Sequence, residues 1–78
     1  MDTVSETIEE ARRLLAEAHN KQAADLLVTA AGECHDERRA SMIRSLAFQG
    51  REQAGRFGKR RWDEAIRLSD EQLARVSP

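Results

Sequence analysis

One cysteine, one proline, no tyrosine and three other aromatic residues are all that a chain of 78 residues contains of these types. A lone cysteine excludes an internal disulfide and suggests a reducing compartment. No apolar run approaches the ~20 residues of a membrane-spanning helix, so no membrane is expected among its partners. No charged-then-apolar opening with a small-residue cleavage site is visible, and the expected location is cytoplasmic. Neither sign of charge prevails: 13 basic and 14 acidic residues leave a net charge of −1. Whole-molecule attraction to nucleic acid or to an anionic surface is therefore excluded.

What remains is helix-forming material. Alanine, leucine, arginine, glutamate and glutamine abound, while β-branched residues are few. Large apolar residues are scarce, because 12 of the 31 apolar side chains are alanine. A core that thin is marginal for a small monomer and favours a partner.

The apolar spacing predicts four helices. The first starts at Thr3, where Thr3 and Glu6 have capping-box spacing, and carries Val4, Ile8, Ala11, Leu15 and Ala18 on one face. His19-Asn20 reads as a turn with Asn20 as the next cap. The second helix, about 21–31, has a wide apolar arc of Ala23, Ala24, Leu27, Ala30 and Ala31, extended by Leu26 and Val28. That width implies neighbours on two sides, and Gly32 reads as the stop. The third begins near Asp36 and follows Ala40, Ile43, Ala47, Gly50 and Ala54. A glycine at position 50 costs ~1 kcal/mol against alanine, which implies either a close helix approach or a bend. Gly55 and Gly58 bracket a break. The fourth starts near Arg60 or Arg61, and Trp62, Ile66, Ser69 and Leu73 share one face. Ser69-Asp70-Glu71-Gln72 has the form of a second cap, but the stripe stays in phase through it, which favours one helix. The expected fold is all-α: one domain over 1–78, with hairpins at about 3–33 and 36–77, anchored by Trp62, Ile66 and Leu73.

Ala11, Leu14, Ala23, Leu27 and Ala30 alternate small and large residues at the spacings of a tetratricopeptide-type hairpin, which the first half resembles. In the second half Trp62 and Ala65 resemble the aromatic-x-x-Ala element that opens that family's second helix. Ala47 and Ala54 answer Ala11 and Ala18, and Ala65 and Leu68 answer Ala24 and Leu27 after an insertion in the Arg56-to-Arg61 loop. Thr7 and Glu10 depart from the family's aromatic and leucine, and no proline closes the first hairpin. The resemblance implies a helical-repeat fold that binds other proteins.

Three stretches could carry chemistry. Glu33-Cys34-His35-Asp36-Glu37 offers metal ligands, but no second cysteine or paired histidine accompanies them. A helix separates His19 from His35 by roughly 20 Å. No metal, cofactor or catalytic group is expected, and Cys34 reads as part of a polar turn without structural duty. The carboxylates of the first and fourth helices suit solvated helix starts and their dipoles. The sharpest feature is basic: Arg56, Phe57, Lys59, Arg60 and Arg61, with Arg51 one turn upstream, could grip an acidic peptide or a nucleic-acid backbone. Placing Lys59, Arg60 and Arg61 at a helix start opposes the dipole.

Charge divides unevenly, from seven acidic and three basic residues in 1–35 to ten basic and seven acidic in 36–78. Such a split suits a match between the halves, or between two copies packed head to tail. The expected function is non-enzymatic: an interaction module or adaptor that binds another protein or itself, as a homodimer. The alternative is a small nucleic-acid-binding or regulatory protein that uses the basic loop.

Overall fold

The computed structural model describes residues 3–56 and 58–76, the last without its side chain. It is all-α: α1 (Thr3–Ala16), α2 (Asn20–Glu33), α3 (Glu37–Ala54) and α4 (Lys59–Val76). Short connections fold each helix back on its predecessor. α2 touches all three other helices, whereas no contact joins α1 to α4 among the described residues. α1 lies beside α3, and α2 beside α4. The array measures 35 × 27 × 14 Å.

The wide apolar arc of α2 explains its central place. Ala23, Ala24, Leu27, Ala30 and Ala31 are all buried, and four of these five are alanine, so helices approach from two sides. Ile8, Ala11, Leu14 and Leu15 of α1 close one flank, and Ala40, Ile43, Leu46 and Ala47 of α3 the other. Trp62 and Ala65 complete the core from α4. The chain exposes 5056 Å², close to the ~4,800 Å² expected of a folded monomer of this mass.

Trp62 is the largest fully buried side chain. Its ring lies against α3 at Gly50, where an added Cβ would stand 2.4 Å from ring carbons. The glycine thus marks a close approach. Ile66 and Leu73, expected to share the anchoring role, are only half-buried at the edge of the core. Ser69 takes the deep position between them, and its Oγ donates to the carbonyls of Ala65 at 2.9 Å and Ile66 at 3.0 Å. A hydroxyl that bonds its own helix can be buried where no second cap forms, and α4 runs unbroken through 69–72.

Several boundaries differ from expectation. α1 does start at Thr3 as expected, and the Thr3 carbonyl accepts from Thr7 Oγ1 at 2.9 Å. α1 stops at Ala16, and Ala18 leaves the apolar stripe to adopt φ 64° in the turn. His19 N donates to Leu14 O at 2.8 Å and Ala18 N to Leu15 O at 3.1 Å. This is a Schellman ending with alanine where glycine is usual. Asn20 is the first residue of α2 and caps nothing; His19 holds the capping position without a side-chain bond. Gly32 does not end α2, which continues to Glu33 and stops when Cys34 turns extended. α4 begins at Lys59, slightly ahead of Arg60.

Asp36 caps α3 as expected, accepting from Arg39 N at 2.7 Å. Gly55 ends that helix at φ 72°, ψ −158°, a conformation essentially restricted to glycine.

Candidate functional site

The basic stretch comes apart in three dimensions. Arg51 Nε meets Asp63 at 2.6 Å, and Arg44 Nε meets Asp70 at 2.7 Å, so both pin α3 to α4. Arg61 Nε bonds Asp25 of α2 at 2.8 Å, and its Nη1 bonds Glu64 at 2.7 Å. The hydrogen bond to Asp25, helped by Glu64, raises the Arg61 pKa further above its ordinary range. Two of the expected ligand-binding cations are therefore structural ties. Phe57 lies outside the described residues.

Arg56 and Arg60 are exposed and Lys59 is half-buried, and none of the three has an ion-pair partner among the described residues. The fold adds Lys21, which shares a cavity with Arg60, Arg61, Asn20 and Gly58 where α2 and α4 begin side by side. The sequence reading missed Lys21, because a helix hairpin separates it from the basic loop.

A second feature also escaped the sequence reading. A shallow groove runs between α1 and α3. Leu15, Met42 and Leu46 form its floor. Arg12, Ser45, Gln49 and Gln53 line its middle and one end, and Ser5, Glu9, Arg38 and Arg39 the other. Arg39 Nε donates across it to Ser5 Oγ at 3.0 Å. The apolar stripes of both helices are legible in the sequence, but their sideways adjacency is not. Also on α3, Phe48 is 42% exposed, with the Arg44 guanidinium 4.9 Å above its ring.

Cys34 is not a surface residue of a polar turn. It is 1% exposed within the core, and Sγ donates to Asp36 O at 3.3 Å. His19 and His35 are exposed at opposite ends of α2. No group of three or more histidine, cysteine or acidic side chains among the described residues is placed to hold a metal ion. No described helix is long and apolar enough to cross a membrane.

Fold and surface together define a small four-helix chain with one apolar-floored groove and one basic cavity. Comparison with family models, curated proteins and solved structures finds no match.

Proposed function

We propose that the chain is a non-enzymatic, self-associating protein–protein interaction module whose receptor surface is the groove between α1 and α3. The observation that carries this reading is the groove itself: an apolar floor of Leu15, Met42 and Leu46 inside a rim bearing both charge signs. Such surfaces suit apolar side chains of a partner segment, with polar groups setting register. The pairing of α1 with α3 and of α2 with α4 is the stacking a two-repeat array would use, in keeping with the tetratricopeptide-type resemblance.

The first partner is a second copy. Phe48 is the one large apolar side chain exposed among the described residues, and it is carried by α3, the helix that forms one wall of the groove. A two-fold pair would seat each Phe48 at the other copy's groove, an arrangement that closes on itself. Leu26, Val28 and Leu68, at the margins of the apolar stripes, are half-buried against the chain's own core and offer a second copy less. The nucleic-acid alternative draws less support, because Arg51 and Arg61 are engaged internally.

Sedimentation equilibrium across micromolar concentrations tests the reading. We expect a dimer that Phe48→Glu converts to an 8.8 kDa monomer with unchanged helicity. A wild-type chain that stays monomeric, with a melting temperature independent of concentration, would sink self-association.

A further inference from the structure

The phase of α3 decides which way a second copy lies on it; the pairing rests on the self-association proposed above. At about 100° per residue, Phe48 stands roughly 120° around α3 from Met42 of the groove floor. Ser41, Ser45 and Glu52 fall in the arc between them, and all three are exposed. This arc has an aromatic at one margin and a groove at the other. Two copies of it can face each other in two ways. An antiparallel α3 pair brings Phe48 to Phe48 and leaves both grooves on the opposite side. A parallel pair, with the two-fold axis along the helices, brings Phe48 of each copy to the groove of the other.

The groove has apolar side chains at the height where the parallel pair needs them. α1 and α3 run in the same direction, because α2 reverses the chain between them. The bond from Arg39 Nε to Ser5 Oγ sets Ser5 level with Arg39, and therefore Leu15 level with Gln49. Phe48 of one copy thus arrives over Leu46 of α3 and Leu15 of α1, which share one part of the groove with Gln49.

Charge separates the two orientations. Glu37 and Arg38 are both exposed at the start of α3, and neither has an ion-pair partner among the described residues. Glu37 suits a helix start, but the cation beside it opposes the dipole. By phase, Glu37 lies at the Phe48 margin of the arc. Arg38 lies at the groove margin and lines the groove's end with Ser5 and Met42. In a parallel pair each residue lies level with its own counterpart, so Glu37 of each copy meets Arg38 of the other. An antiparallel pair centred on Phe48 leaves Glu37 and Arg38 roughly 30 Å from their counterparts, at 1.5 Å per residue. It sets Arg44 against Glu52 instead, yet Arg44 is already held by Asp70 at 2.7 Å and by the Phe48 ring.

We propose that the chain pairs with a second copy through parallel α3 helices. Each Phe48 fills the other copy's groove, and Glu37 and Arg38 form two reciprocal ion pairs that set the register.

The test combines cross-linking with charge inversion in the full chain. Ser41→Cys and Glu52→Cys stand 11 residues apart on the facing arc. Each single variant should form a disulfide-linked dimer under oxidised glutathione, whereas Thr29→Cys, exposed on α2, should not; the native Cys34 is buried. An antiparallel pair can bring at most one of positions 41 and 52 to its counterpart within disulfide reach. In sedimentation equilibrium, Glu37→Lys and Arg38→Glu should each weaken association by about tenfold or more, with helicity intact. The double variant should return to within about threefold of wild type. A dimer in which only one or neither position cross-links overturns the parallel pairing and leaves self-association standing. So does a double variant that associates no better than the single ones. A wild-type chain that stays monomeric overturns both readings.

Discussion

Gly50 and Trp62 form one packing unit: the indole occupies the space in which a side chain at position 50 would begin. The contact is with the rigid part of the ring, 2.4 Å from a Cβ at that site, so no end of a flexible chain can swing aside. Gly50→Ala should therefore destabilise by about 3 kcal/mol or more despite its better helix propensity. Trp62→Ala should cost ~3–5 kcal/mol. The double variant should lose clearly less than the sum, because each change removes the other's partner. Additive losses in denaturant melts would show that the two residues do not pack as one unit.

The same substitution has the opposite sign at Gly32. That residue is helical and exposed, and an added Cβ meets nothing within 4 Å. Gly32→Ala should stabilise by roughly 0.5–1 kcal/mol. Ala18→Gly should stabilise by a similar ~1 kcal/mol, because alanine there is held at φ 64°. Gly55→Ala should cost ~1–3 kcal/mol. Thermal melts of the three variants check all three signs.

Cys34 acts as core filler, and its thiol bonds Asp36 O. Cys34→Ser should cost ~1–2 kcal/mol, since the hydroxyl keeps that bond but brings a more polar atom into the core. The native thiol should react with iodoacetamide only as fast as the chain opens. Modification at the rate of a free thiol would place Cys34 at the surface.

Acid acts on the outer ion pairs. The hydrogen bond to Arg13 holds Glu10 below its ordinary carboxylate value. A folded-state pKa below the unfolded one stabilises above the unfolded value, and the gain is lost as pH falls through the folded value. Wild type and Glu10→Gln should thus differ in melting temperature at neutral pH and converge as the pH falls through the lowered folded-state value. Both groups are exposed, so the difference should be small and should fade in 1 M salt. A gap that does not narrow on acidification would contradict this assignment.

Much of the candidate site lay beyond local sequence. The clustering of Arg56, Lys59, Arg60 and Arg61 is visible in a short window, but their fates are not. Arg61 and Arg51 are taken by Asp25 and Asp63, the first of which lies 36 residues away. Lys21 and Asn20 join Arg60 only because α2 and α4 lie side by side. The groove likewise depends on which stripes end up as neighbours.

By itself the sequence determined four helices, the α3 cap at Asp36 and the burial of Trp62, because these follow from period, cap chemistry and side-chain size over a few residues. It also marked Gly50 as a place of close approach or bending, without saying which. The tertiary structure decided the rest. It chose Trp62 as the neighbour of Gly50 and left Ile66 and Leu73 at the core's edge. It carried α2 past Gly32, although glycine is a common helix end. α1 itself turned at Ala18, where a Schellman ending outweighed alanine's aversion to positive φ. The place of Trp62, Ile66 and Leu73 depends on how α4 packs on α3, which no local propensity contains, whereas the turn at Ala18 is closed by local hydrogen bonds that prevail over the preference of a single residue.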